Sequence, residues 1–263
     1  MTIKNVVLVH GWGLNKAIWS SYADSLRAHL PEIKVHLLDI PGYGAMAHKP
    51  SSSNIKVLAQ QCLSQAPDQA LWVGWSLGGM IAMQVAIMDQ EQSSNRVQAL
   101  QLINAAPKFV ASTDWPSGVD IAIFRKFCDS LASDYEKTLG QFLLLQAGKT
   151  TDARKLAREA QVKISEYDNP SQNTLEQGIE CLAAIDLREE LAVLSLPVQV
   201  VCGTLDRVAM PETCRASAQL LSAELVEMQC GHAPFLTHPD VLIERFVSFI
   251  EQLKLQKEVS LAV

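Results

Sequence analysis

Short apolar runs recur along the chain, and stretches of helical length separate them. The runs, several of them rich in β-branched residues, span residues 6–9, 35–38, 71–73, 99–103, 198–202 and 224–228. Strand-like runs that alternate with helices are typical of a parallel sheet with crossover helices. Because most of the runs are nearly continuously apolar, we expect strands that are covered on both faces. We therefore predict an α/β fold with a mostly parallel central sheet and flanking helices.

The interval between the fourth and fifth runs is longer than one crossover needs. It contains about 95 residues, whereas a crossover needs only about a dozen. Most of the interval has a helical pattern, with helices predicted at 121–132, 135–146, 151–164 and 175–184. We predict a single domain over residues 1–263, with a core of 1–107 and 186–263 and an inserted helical cap of 108–185.

Composition and charge restrict the function classes only mildly. The chain has 263 residues, of which 48% are hydrophobic and 19% charged, and its net charge is −6. This acidic balance argues against a general nucleic-acid or anionic-membrane binder. No apolar run approaches the roughly 20 residues of a membrane-spanning helix, and no export signal follows Met1, so we expect a cytoplasmic protein. We also expect a monomer. The six cysteines show no metal-ligand spacing, and we expect reduced, mostly buried thiols and no metal.

A glycine-flanked serine stands directly after the third apolar run. The segment Gly74-Trp75-Ser76-Leu77-Gly78 has the pattern G-x-S-x-G, and a helix-favouring run follows it. A nucleophile on a sharp strand-to-helix turn needs small neighbours so that strand and helix can approach closely. Such a turn also places the free amides at the start of the helix beside a developing oxyanion. Ser76 is thus a candidate nucleophile, although a glycine-rich turn can contain a serine by chance.

A base and an acid follow in the order that a strand–serine–helix site requires. His232 comes shortly after the last apolar run, and Asp206 follows the fifth run after Gly203. The chain order serine, aspartate, histidine is the order of α/β hydrolases. His238, just before a proline, is a weaker candidate that we expect to begin the C-terminal helix. The alternative for Asp206 is a turn aspartate paired with Arg207.

Glycines and aromatic residues also follow the first run, in His10-Gly11-Trp12-Gly13. This loop lies where the architecture supplies its second oxyanion amide, and we assign that amide to Trp12, whose side chain is then free to line the pocket. We interpret His10 as a structural hydrogen-bonding residue. Asp39, in a turn after the second run, receives no role in proton transfer.

Several segments together resemble the pimeloyl-[acyl-carrier protein] methyl ester esterase family, the carboxylesterases of biotin synthesis within the α/β-hydrolase superfamily. The matching segments span almost the whole chain and are residues 8–15 (Leu-Val-His-Gly-Trp-Gly-Leu-Asn), 74–79 (Gly-Trp-Ser-Leu-Gly-Gly), 114–116 (Asp-Trp-Pro), 185–188 (Ile-Asp-Leu-Arg) and 231–235 (Gly-His-Ala-Pro-Phe). One departure is the amino end, because the family usually has a hairpin before the first recognisable strand.

The resemblance implies a set of site residues and a partner. Ser76, Asp206 and His232 would be the triad, Trp12 and Leu77 would hold the acyl group at the oxyanion hole, and Phe142 would line the acyl channel. The alternative for Phe142 is a helix residue that is buried against the sheet domain and has no role in binding the acyl chain. No cofactor is implied, and the substrates would be a carrier-linked pimeloyl methyl ester and small esters.

Basic residues in the predicted cap fall where this family presents positive charge to its acidic carrier protein. They are Lys137, Arg154, Lys155 and Arg158. The segment 149–163 contains five basic residues (149, 154, 155, 158 and 163) but only two acidic ones (152 and 159). Such a local excess suits a small acidic partner. A solvated helix face with intrahelical ion pairs is the alternative, and Gln141 stands where another basic residue is expected.

Other functions of the same scaffold stay open at this point. A general short-chain carboxylesterase or a carbon–carbon bond hydrolase would use the same triad. A non-catalytic ligand receptor would keep the pocket without turnover. A dehalogenase needs a carboxylate at the elbow, where this chain has Ser76.

Overall fold

Six parallel strands form one sheet at the centre of the protein. The computed structural model describes residues 3–147 and 152–261. The strands are β1 (Asn5–Val9), β2 (Lys34–Leu38), β3 (Ala70–Trp75), β4 (Val97–Ile103), β5 (Val198–Gly203) and β6 (Glu224–Met228). Their order is β2-β1-β3-β4-β5-β6, and every neighbouring pair is parallel. All six predicted runs are strands, so the predicted fold class is confirmed.

Helices connect the strands and cover the sheet. In chain order they are α1 (Ser20–His29), α2 (Ile55–Gln65), α3 (Leu77–Gln92), α4 (Ile121–Ser133), α5 (Tyr135–Ala147), α6 (Ala153–Ile164), α7 (Gln172–Ala184), α8 (Pro211–Leu220), α9 (Pro234–Thr237) and α10 (Pro239–Leu261). His238 thus ends α9 and directly precedes α10.

The core has two apolar layers, one on each face of the sheet. Side chains of α2, α3 and α8 pack against Trp72 and its neighbours on one face. Side chains of α1 and α10 pack against Val73 and Trp75 on the other. Since β3 is buried over its whole length, its carboxyl end at Trp75 is held from both sides. This end of β3 is where the serine elbow begins.

The four helices predicted between β4 and β5 are present, with small differences at their ends. Helix α7 begins at Gln172, three residues before the predicted start, because the Ser171 hydroxyl accepts a hydrogen bond from the Thr174 amide and caps the helix. Of the predicted basic cluster, Lys149 lies outside the described residues. The division of the chain into a core and a cap of 108–185 stays a prediction.

The two ends of this helical interval are joined by ion pairs. Arg188 donates to Asp114 at 2.6 Å and to Asp186 at 2.7 Å, and its guanidinium lies 5.1 Å from the centre of the Trp115 ring. Lys108 lies 3.0 Å from Asp186. Hydrogen bonds from Arg188 lower the pKa of Asp186 to about 2. The matched segments 114–116, before α4, and 185–188, after α7, are therefore in contact with each other.

Buried, free thiols are found at Cys62, Cys181, Cys202, Cys214 and Cys230. Burial raises the pKa of Cys62 to about 12, so it stays a thiol at neutral pH. In residues 3–147 and 152–261, no helix is long and apolar enough to cross a membrane.

Candidate active site

Ser76 lies on a strained turn between β3 and α3. Its φ is 55° and its ψ is −121°, a conformation that a residue with a side chain rarely adopts. Three backbone hydrogen bonds hold it there, since its amide donates to the Ile103 carbonyl at 3.1 Å and its carbonyl accepts from the amides of Gly79 at 2.9 Å and Met80 at 3.2 Å. Ser76 is 6% exposed. The turn therefore presents the hydroxyl at the carboxyl edge of the sheet.

Glycines on both sides of Ser76 let helix and strands come together. A Cβ at Gly78 would lie 2.3 Å from the Val9 carbonyl oxygen, and one at Gly74 would lie 2.4 Å from the Gly79 Cα. Both neighbours are backbone atoms, which cannot move aside without shifting a whole element. The G-x-S-x-G pattern is thus a packing requirement of this elbow.

Asp206 and His232 are joined by a short hydrogen bond. The His232 Nδ1 lies 2.7 Å from the Asp206 Oδ2, and both residues are at most 3% exposed. The other carboxylate oxygen of Asp206 accepts from the amides of Val208 at 2.7 Å and Ala209 at 3.2 Å. His232 and Ser76 line one cavity, although no hydrogen bond between their side chains is found among the described residues.

Asn104 and Trp75 hold the histidine loop, and sequence reasoning assigned a role to neither. The Asn104 amide nitrogen donates to the carbonyls of Gly231 at 3.0 Å and His232 at 2.8 Å, while its oxygen accepts from the Gly203 amide at 2.7 Å. The Trp75 indole donates to the same His232 carbonyl at 2.7 Å. The one available signal was that Asn104 directly follows β4, at the edge where the elbow and loops meet.

A cavity of about 340 Å³ opens above Ser76 and His232. Its wall is mostly apolar and includes residues from both the sheet edge and the helices α4, α5 and α7: Trp12, Val119, Ile123, Phe142 and Leu182. Such a cavity, apolar with few polar groups, suits a small organic ligand or an acyl chain.

The three residues predicted at the acyl group lie at this cavity or beside it. Trp12 lines it, and its indole nitrogen donates to the Leu175 carbonyl of α7 at 2.9 Å. Leu77 is the first residue of α3, where amides have no partner within the helix. Phe142 is half-buried on α5 and lines the cavity.

His10 and Asp39 have structural contacts. The His10 Nε2 accepts from the Ile40 amide at 3.0 Å, so this nitrogen carries no proton. Burial lowers the pKa of His10, in agreement with a neutral ring. Asp39 accepts from the amides of Lys16 at 2.7 Å and Ala45 at 2.9 Å and ties the loops after β1 and β2 together.

The predicted basic residues of the helical interval are exposed. Lys137 is on α5, and Arg154, Lys155 and Arg158 are on α6. Among the described residues, none of these four forms an ion pair. Lys163, in contrast, donates to the Ser21 hydroxyl at 3.1 Å. The alternative of intrahelical ion pairs thus finds no support in these residues.

The elbow, the buried Asp206–His232 pair and the apolar cavity lie together at the carboxyl edge of the parallel sheet. A model described as the alpha/beta hydrolase family matches residues 6–245. The chain belongs to the alpha/beta hydrolase family. It is a hydrolase, and the family resemblance predicted from the sequence is confirmed.

Relatives match nearly the whole chain. A pimeloyl-[acyl-carrier protein] methyl ester esterase from Klebsiella pneumoniae (strain 342) is 36% identical over 95% of this chain and 94% of that protein. A protein of the same name from Yersinia enterocolitica is 35% identical over 94% of this chain and 93% of its own length. The chain belongs to the family of these esterases.

Solved structures of more distant proteins share the fold. An esterase from Exiguobacterium antarcticum has a TM-score of 0.78 at 21% identity and covers 95% of this chain and 92% of its own. A bromoperoxidase from Bacillus anthracis has a TM-score of 0.79 at 21% identity, with the same coverage. At this identity the likeness concerns the α/β-hydrolase fold alone.

Gly78→Ala tests the packing of the elbow. Because its Cβ would overlap the carbonyl oxygens of Val9 and His10, we expect the free energy of unfolding to fall by about 2 kcal/mol or more, with loss of ester hydrolysis. Gly140→Ala on α5 is the matched control, since its Cβ would meet only the flexible Gln161 side chain, at 2.9 Å. Chemical denaturation and hydrolysis of a p-nitrophenyl ester measure both effects. Equal stability and activity of the two variants would contradict the packing argument.

Proposed function

We propose that the chain is a serine carboxylesterase that hydrolyses the methyl ester of a pimeloyl group carried by acyl-carrier protein, in the cytoplasmic synthesis of biotin. Ser76 is the proposed nucleophile, His232 the general base and Asp206 the carboxylate that orients the ring. The observation that carries the chemistry is the buried 2.7 Å bond between His232 and Asp206, beside a serine on a strained elbow.

The geometry of each group suits its proposed step. Because the Asp206 carboxylate accepts from Nδ1, the Nε2 of His232 is free to take the proton of the Ser76 hydroxyl as the oxygen attacks the ester carbonyl. The amides of Trp12 and Leu77 stabilise the resulting oxyanion. Methanol leaves with the proton from His232. A water molecule, deprotonated by the same ring, then hydrolyses the acyl-enzyme and releases the carboxylic acid and Ser76.

Apo geometry is compatible with this sequence of steps. Hydrogen bonds between a nucleophile and its base are often long in unliganded enzymes and shorten when substrate binds. The support for His232 as the base is that its backbone carbonyl is held by both Asn104 and Trp75. The backbone that carries the ring is thus fixed before any ligand binds, and both His232 and Ser76 line the same cavity.

Three observations support the substrate. The relatives at 33–36% identity over most of their length are named for a pimeloyl-[acyl-carrier protein] methyl ester. The mostly apolar cavity suits a hydrocarbon chain. Exposed cations on α5 and α6 suit an acidic carrier protein. Phe142, at the cavity wall, is the proposed contact of the acyl chain.

Removing the nucleophile tests the chemistry. We expect Ser76→Ala to lower kcat for a carrier-linked pimeloyl methyl ester by about 10⁶-fold. Asp206→Asn is expected to lower kcat by about 10⁴-fold, because the amide would favour the wrong tautomer of His232. The measured quantity is the release of methanol, which is monitored with an enzymatic assay. Full activity of the Ser76→Ala protein, or failure of the unaltered protein to release methanol, would contradict the proposal.

Charge reversal on α6 tests the carrier surface. We expect the triple variant Arg154→Glu, Lys155→Glu, Arg158→Glu to lower kcat/KM for the carrier-linked ester by about tenfold or more, since charge steers association. Hydrolysis of a small p-nitrophenyl ester should change less than about twofold. The control triple Lys4→Glu, Lys34→Glu, Lys56→Glu makes the same change in net charge at exposed sites away from the cavity. Equal losses in both triples would contradict a carrier surface on α6.

A further inference from the structure

We propose that Arg207 binds an anionic group of the substrate, a carboxylate or a phosphate, where the catalytic cavity opens. Arg207 lines the cavity and is exposed to solvent, so it lies at the mouth and not at the closed end. This inference deepens the proposed function and rests on it for the identity of the ester.

Arg207 differs in charge from the other residues of the cavity wall. Among the described residues that line it, Arg207 is the one side chain with a permanent charge, and the wall around it is mostly apolar. Gln141, Ser130 and Thr138 are the neutral polar residues of the same wall on α4 and α5. None of the described lining residues is acidic, so none of them offers Arg207 a counter-ion.

The neighbouring aspartate does not neutralise Arg207 either. The Asp206 carboxylate accepts from His232, Val208 and Ala209, and it is 2% exposed. No ion pair of Arg207 with any acidic side chain occurs within the part of the chain that the structure describes. The interpretation of residues 206 and 207 as a simple turn pair therefore has no contact to support it.

The backbone around Arg207 is fixed relative to the catalytic histidine. The Leu205 amide donates to the Cys230 carbonyl at 3.0 Å, and the Asp206 amide donates to the Gly203 carbonyl at 3.0 Å. Since Asp206 is also bonded to His232, the loop that carries Arg207 keeps its register with the reacting groups. The Arg207 side chain thus extends from a backbone that is fixed beside the reacting groups.

The guanidinium group suits both kinds of anion. Its planar donors can form two parallel hydrogen bonds to a carboxylate or a phosphate. Two parts of a carrier-type substrate supply such a group. One is a free carboxylate at the far end of a dicarboxylic monoester, and the other is the phosphate of the prosthetic arm of a carrier protein.

Matched substrate pairs separate these sources. The first pair is monomethyl pimelate and methyl heptanoate, which differ in the far carboxylate. The second pair is the methyl-pimeloyl thioester of phosphopantetheine and that of pantetheine, which differ in the phosphate. For each pair the measured quantity is the ratio of kcat/KM for the anionic ester to that for the neutral ester, in the full-length protein.

We expect Arg207→Gln to lower this ratio by about three- to tenfold for one pair, through KM, as the loss of a partly exposed charged contact implies. Arg207→Lys should restore part of it. Arg245→Gln is the control, because Arg245 is also exposed, lies on α10 and does not line the cavity. The pair that responds identifies the anion. An unchanged ratio for both pairs, or the same change in Arg245→Gln, would overturn the proposal.

Inhibition measurements keep this test independent of the proposed substrate. If the protein hydrolyses p-nitrophenyl butyrate but none of the methyl esters, the proposed function fails while Arg207 can still be examined. Pimelate and phosphopantetheine are then tested as competitive inhibitors of p-nitrophenyl butyrate hydrolysis. Arg207→Gln is expected to raise the inhibition constant of one of them by about three- to tenfold. Equal inhibition of the Gln variant and the unaltered protein by both anions would overturn the proposal in this case as well.

Discussion

The site depends on how closely α3 approaches the strands β1 and β3. That approach is possible because Gly74 and Gly78 have no Cβ, which would otherwise lie within 2.4 Å of backbone atoms. The short turn that results forces Ser76 to a φ of 55°. It also brings the first amides of α3 to the carboxyl edge of the sheet, beside the proposed nucleophile. Backbone strain at one residue is thereby balanced by the packing of a buried helix on a buried strand.

A second set of contacts fixes the proposed base relative to that elbow. Asn104 bonds the end of β5 and the loop after β6 at the same time. Trp75, the residue just before the serine, donates to the carbonyl of His232. The ends of four strands are thus connected by two side chains, and the histidine loop cannot move without breaking bonds to the elbow itself. Such support is what keeps catalytic groups in position before substrate binds.

The sequence was sufficient for the strands, the helices and the order of the elbow, Asp206 and His232, because each of these depends on local patterns. The apolar runs predicted six strands, and the flanking glycines predicted a tight turn at Ser76. The role of Asn104 in holding the histidine loop could not be predicted. Its three partners lie about 100 residues or more away in the chain, and only the order of the strands in the sheet brings them next to it. The contact of Arg188 with Asp114 is similar, because a charge pattern does not specify which distant partner a charged side chain meets.

Covalent labelling tests the central claim, that the elbow makes Ser76 the reactive nucleophile, most directly. The protein is incubated with a fluorophosphonate, digested and analysed by mass spectrometry, with residual esterase activity followed in parallel. We expect one phosphonyl group on the peptide that contains Ser76, at a stoichiometry that matches the activity lost. Complete loss of activity with the label on another residue would contradict this expectation, and so would retention of activity after Ser76 is fully labelled.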